Sequence, residues 1–204
     1  MKSLIMVAII MVILGSTAVY AQDVYVDGRV TVDGKGATTV WSEVYRTRGK
    51  LIFPDVVRIE SPNYQETEIG IGRELYSNGG LFVAGSVYMT TATGGQEWLQ
   101  PLVTAIYEKG RLSCGITAMT YIPLNGNSCH LQVVDPAFVE YKLGKNKNWS
   151  IGVSASGSQF EQDSWVIKSG PMVRAYDKKG FWEFRATSTD SRTKDFWIRR
   201  SFKL

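Results

Sequence analysis

From Val24 to Val32 the chain alternates. Val24, Val26, Val30 and Val32 fall on one face, and Tyr25, Asp27, Arg29 and Thr31 on the other. A period of two over this length fits an extended strand with one apolar and one polar side. A helix would scatter the same residues around its axis. The pattern then repeats, cut by turn chemistry at Asp33-Gly34-Lys35-Gly36, Ser61-Pro62-Asn63, Ser77-Asn78-Gly79-Gly80, Thr93-Gly94-Gly95, Ser169-Gly170-Pro171, Asp177-Lys178-Lys179-Gly180 and Thr189-Asp190-Ser191-Arg192. Strand signals every ten to fifteen residues, with few helical windows, predict an all-β chain. Residues 97–109 fit two readings. Trp98, Leu99, Leu102, Val103, Ile106 and Tyr107 recur at helical spacing, and the same run reads as a buried strand. The expectation is an antiparallel β-sandwich, jelly-roll-like, with 97–109 as its one candidate helix.

The first residues read differently. Lys2 precedes an apolar run from Leu4 to Leu14, and Val19-Tyr20-Ala21 puts small residues where a signal peptidase reads. The run is short for a span of roughly 20 residues. Residues 1–21 are therefore expected to be a cleaved signal peptide, and 22–204 a single exported β domain, secreted or periplasmic. An oxidising compartment favours joining the two cysteines, so a Cys114–Cys129 disulfide is expected. A tight hairpin at Asn125-Gly126 would hold them apart, so the bond needs a wider loop or a bent strand.

Chemistry is sparse. There is no Gly-x-Ser-x-Gly elbow, no His-Glu-x-x-His and no Gly-rich phosphate loop. One histidine and two cysteines do not make a zinc site, and no metal or other cofactor is expected. His130 adjoins Cys129, but neighbours on a strand point to opposite faces. Glu66 and Glu68 would share a strand face, with Glu60 and Glu74 close in sequence. Paired carboxylates can hydrolyse glycosidic bonds. That gives a polysaccharide-active enzyme on a jelly roll as one alternative, against the plainer reading of a solvated strand face.

The clearest functional signal is aromatic rings on polar faces. In the last strand Trp197, Arg199, Ser201 and Lys203 share one side, opposite Phe196, Ile198, Phe202 and Leu204. In the second strand Trp41, Glu43 and Tyr45 share a side. From Lys168 onward ten Lys/Arg stand against four acids, although the whole chain is only +4. That balance is too mild for nucleic acid and suits an anionic glycan, an envelope surface or an acidic protein. Trp41, Tyr45, Arg185, Trp197, Arg199 and Lys203 are therefore the candidate ligand-binding residues of a non-enzymatic glycan- or protein-binding module. Cross-strand aromatic pairs that merely brace a sheet are the structural alternative.

The chain's end also resembles the closing strand of outer-membrane barrels, through Phe196, Ile198, Phe202 and Leu204 at alternate places. That resemblance implies a small outer-membrane β-barrel. Arg200 breaks the apolar row, and an arginine on a lipid-facing row costs about 2–4 kcal/mol near the midplane.

Overall fold

A computed structural model describes residues 23–189 and 194–204. The expected signal peptide lies outside them. The described residues form twelve strands: β1 (Asp23–Val32), β2 (Thr38–Arg48), β3 (Leu51–Ser61), β4 (Tyr64–Asn78), β5 (Leu81–Ala92), β6 (Gln96–Lys109), β7 (Leu112–Pro123), β8 (Leu131–Leu143), β9 (Trp149–Phe160), β10 (Val166–Tyr176), β11 (Gly180–Ser188) and β12 (Lys194–Lys203). Each pairs antiparallel with its sequence neighbours, and β12 closes on β1 to make a barrel. The sandwich expectation is overturned. Among the described residues, closure leaves no sheet edge and no second sheet. Residues 97–109 lie in β6, so the helical reading of that segment is also overturned. Paired to β5 from Ala92↔Gln96 to Leu81↔Tyr107, β6 puts Trp98, Gln100 and Thr104 inside and Leu99, Val103 and Tyr107 outside.

The error has a physical source. Pro54, Asp135-Pro136 and Gly170-Pro171 look like strand ends, and they shorten the strands to sandwich length. Each instead sits within one continuous strand. The β2–β3 register slips between Val44 and Tyr45, and the β8–β9 register between Val134 and Ala137. Both are bulges that absorb the break. At Pro171 the β10–β11 ladder passes from Ser169↔Ser188 to Met172↔Arg185 with the proline in the gap. The resulting strands run from nine to fifteen residues, the length a tilted strand needs to cross a bilayer.

The barrel is turned out relative to a soluble protein. Its outer face exposes Val30, Val40, Ile71, Val87, Val103, Ile116, Val139, Ile151, Val153, Phe184 and Ile198. Its inner face holds Asp27, Glu66, Glu68, Gln100, Glu140, Arg174, Glu183 and Arg185, all buried. Water on the outside would make this arrangement costly, and hydrocarbon makes it favourable. The expectation of a soluble secreted or periplasmic protein is therefore corrected. The rim where β1 begins and β12 ends, called the terminal rim here, carries exposed Tyr76, Tyr141, Trp149 and Trp182. The opposite rim, the loop rim, carries exposed Phe160, Trp165 and Phe196. Such aromatic girdles sit at both membrane interfaces of barrels. Arg200 belongs to the first girdle. Its guanidinium lies 5.2 Å from the Trp182 ring and pairs with Asp177 at 2.8 Å, so the charge reaches the interface and the midplane cost does not arise.

The β4–β5 turn at the terminal rim is tight. Gly79 and Gly80 take φ of +61° and +87°, which only glycine adopts freely, and hold β4 to β5. At the loop rim the Asp33 carboxylate accepts the Lys35 and Ala37 N–H groups at 2.8 Å. Those bonds hold its pKa below the ordinary value. The turn is thus braced at neutral pH and loosens as pH falls through the lowered pKa.

Both cysteines are free, which overturns the disulfide. Cys114 stands near the start of β7 on the outer face, in register with Tyr107 and Val139. Cys129 lies beyond the far end of the same strand, where its carbonyl accepts the Trp98 indole N–H at 2.9 Å. At about 3.4 Å per residue, roughly 30 Å of strand separates them, far beyond the roughly 6 Å a disulfide spans. Denatured, unreduced monomer should accordingly label at both thiols. A monomer that labels at neither would contradict this placement.

Candidate functional site

Alternation sends every other side chain of each strand into the lumen, and the inward rows divide by chemistry. On β2 to β7 the wall carries Glu43, Glu66 and Glu68 among Tyr45, Tyr64, Tyr88 and Tyr121. The Tyr121 hydroxyl lies 3.2 Å from Glu66 and 3.4 Å from Glu68, and Tyr64 donates to Glu66. Trp98 meets Tyr121 edge to face at 5.7 Å. Gly70 makes room for this packing, because a Cβ there would stand 2.9 Å from the Tyr88 ring and 2.4 Å from the Val87 carbonyl. The two glutamates expected to share a face do share one, but it is the packed lumen, not a solvated strand face. Glu74 lies apart, 3.8 Å from Lys50 at the terminal rim. The jelly roll that the enzyme reading needs is not the fold.

The other wall, β8 to β12 with β1, is built on arginine. Arg174 donates from one terminal nitrogen to Glu140 at 2.8 Å and from Nε to Glu183. The ring of Phe138 lies 4.3 Å from its guanidinium and that of Phe181 4.9 Å. Tyr176 and Ser150 also donate to Glu140, at 2.8 and 2.5 Å. Arg185 pairs with Glu183 at 2.6 Å. Arg199 grips Asp27 with Nε at 2.9 Å from both carboxylate oxygens. Register explains the order: Glu183 stands between Arg174 on β10 and Arg199 on β12. Arg29 stands directly across from Arg199, yet each like charge has its own carboxylate, Asp135 and Asp27.

Five of the six candidate binding residues lie along this wall and its seam with β2. Arg185 and Trp197 are direct cross-strand partners, and the guanidinium sits 4.0 Å from the ring. Arg29 lies 4.5 Å from Trp197 and 5.6 Å from Trp41, joining the two tryptophans into one cluster. Tyr45 stacks on Tyr25 at 4.9 Å. Lys203 stands apart at the terminal rim, paired with Asp23 at 2.6 Å. Trp197 is only 8% exposed, so its ring is committed to the two arginines rather than open to a partner surface. The sequence reading missed Arg29, Arg174, Asp135, Glu140 and Glu183. Arg29 was on the polar face of the first strand, but nothing local says which polar faces meet inside a closed barrel.

A cavity of about 230 Å³ opens near the loop rim, lined by Arg29, Asp135, Lys168, Asp195 and Trp197. Lys168 pairs with Asp195 there. A larger hollow of about 490 Å³ runs along Leu81, Tyr107, Cys114, Ile116, Val139 and Val153. Those side chains point outward, so it is a groove in the lipid-facing wall.

A closed antiparallel barrel with an apolar exterior, aromatic girdles and a charged lumen is the porin-like outer-membrane fold. Solved structures agree. A KdgM porin superposes with a TM-score of 0.63 at 10% identity, over 88% of this chain and 99% of that one. A NanC porin gives 0.64 at 11% identity, over 88% and 100%. The Acinetobacter baumannii outer membrane protein Omp33 gives 0.55 at 9% identity, over 89% and 98%. Identity this low conveys the architecture and not the activity. No protein-family model matches the sequence, and no curated protein does.

Proposed function

We propose that this chain is an outer-membrane channel that passes small glycan-type solutes, acidic ones in preference. The observation that carries the reading is the inward arginine wall. Arg174, Arg185 and Arg199 set a row of cationic groups along the inner wall, and a solute path needs polar groups along its length. Arginine is suited to carboxylates because its planar fork meets them with two hydrogen bonds. The Phe138 and Phe181 rings beside Arg174 add apolar surface along the same wall. The KdgM porin has a structure in complex with disordered oligogalacturonate, an acidic glycan, which supports this solute class. On this proposal the basic aromatic face meets a solute small enough to enter the barrel.

Swelling of proteoliposomes tests the reading. Vesicles carrying the purified protein should swell faster in galacturonate oligomers than in neutral oligosaccharides of equal length. Arg174→Gln should narrow that difference. Equal permeation of acidic and neutral oligomers, or none of either, would overturn the proposal.

A further inference from the structure

Arg29 and Asp135 meet at 2.8 Å although their strands are not neighbours. Four strands separate β1 from β8 one way round the barrel and six the other way. On a circular twelve-strand barrel, strands five places apart would lie roughly 23 Å from each other. Extended arginine and aspartate side chains joined by one hydrogen bond reach only roughly 14 Å. The contact therefore requires the walls to come together at this level.

The β8 bulge supplies part of that approach. The ladders on both sides of β8 skip Asp135 and Pro136, resuming at Ala137. A bulged residue is free to lean out of the sheet plane, and Asp135 leans inward. Arg29 is held from its own side by the rings of Trp41 and Trp197. The pair remains wet, with side chains 23% and 22% exposed, and it lines the loop-rim cavity. The ion pairs around Arg174 and Glu183, by contrast, are buried.

We propose that the Arg29–Asp135 pair is a crossbar that sets the size limit and the charge preference of the lumen. This rests on the channel reading above. A solute wider than the gap beside the pair must part it. Parting this pair costs more than parting a fully exposed one and less than breaking the buried pairs around Arg174, because each side chain keeps about a fifth of its surface in water. A crossbar of this kind filters without sealing.

Single-channel recording in planar bilayers at roughly 0.1 M KCl, where the Debye length is about 10 Å, keeps the charges visible. The proteins are wild type, Asp135→Ala, Asp135→Asn, Arg29→Ala and the exchanged pair Arg29→Asp/Asp135→Arg. Heat-modifiable mobility on gels confirms that each barrel folds. Asp135→Ala and Arg29→Ala should both raise conductance, by about twofold or more. Their reversal potentials should move oppositely, toward anions when Asp135 is lost and toward cations when Arg29 is lost. The exchanged pair should return conductance toward wild type. Asp135→Asn keeps the side-chain volume and should show the same anion shift with a smaller conductance gain. General loosening of the barrel would not move selectivity in opposite senses. If wild type conducts and the variants match it, or conduct less, the crossbar is overturned and the channel reading stands. If all the folded proteins fail to conduct, the channel reading itself is overturned.

Discussion

Val153→Arg is expected to lower the stability of the barrel in lipid by about 2–4 kcal/mol, and Thr38→Arg by no more than about 1 kcal/mol. Both residues point outward. Val153 is 60% exposed and stands in mid-strand on β9, between Val139 and Pro171 on the flanking strands. An arginine there must bury its charge in hydrocarbon or drag water toward it. Thr38 opens β2 at the loop rim, opposite Val32. An arginine at that level reaches the headgroups, as Arg200 does at the other rim. Urea unfolding in lipid vesicles, followed by tryptophan fluorescence, measures both. The contrast between the two sites is the diagnostic feature. In water the same two substitutions at exposed positions would cost nearly nothing. Equal small effects would therefore mean that the apolar wall does not face lipid.

Much of this barrel is legible strand by strand. The alternation from Val24 to Val32 marks β1, and the glycines at 79 and 80 mark a turn that the structure contains. Even the pairing of Arg185 with the last strand follows from simple antiparallel geometry, and the register places it opposite Trp197. What misleads is the sense of inside and outside. A strand with one apolar and one polar face looks the same whether its apolar face meets a core or a membrane. Asp27, Glu43 and Arg199 read as the polar faces of separate strands, whereas they line one barrel interior. Closure is invisible for a second reason. It depends on β1 meeting β12 across nearly the whole chain, and no local residue encodes that contact. The prolines at 54, 136 and 171 then argue for short strands, because the bulges that carry the chain past 54 and 136, and the ladder gap that takes 171, leave no sequence mark of their own. Arg29–Asp135 combines both difficulties, since it needs barrel closure and a bulge together.

Glu183→Ala should cost about 3–5 kcal/mol, the penalty for stranding a buried charge. Glu183 is 1% exposed and holds two arginines at once, Arg174 and Arg185. The two are affected unequally by its loss. Arg174 keeps Glu140 at 2.8 Å. Arg185 keeps the ring of Trp197 at 4.0 Å and a longer-range attraction from Asp135, and a ring face contributes about 2 kcal/mol when desolvated. Arg185 is therefore the less compensated of the two. Replacing it with methionine, which keeps the stem and removes the charge, should recover much of the loss. The double variant Glu183→Ala/Arg185→Met is expected to be more stable than Glu183→Ala alone, because apolar replacement of a buried pair is close to neutral while removal of one partner is not. Two independent losses would instead add. The same vesicle unfolding assay decides between them. Additive destabilisation by the two substitutions would show that Arg185 finds another partner or water, and that the lumen wall is wetter than its packing indicates.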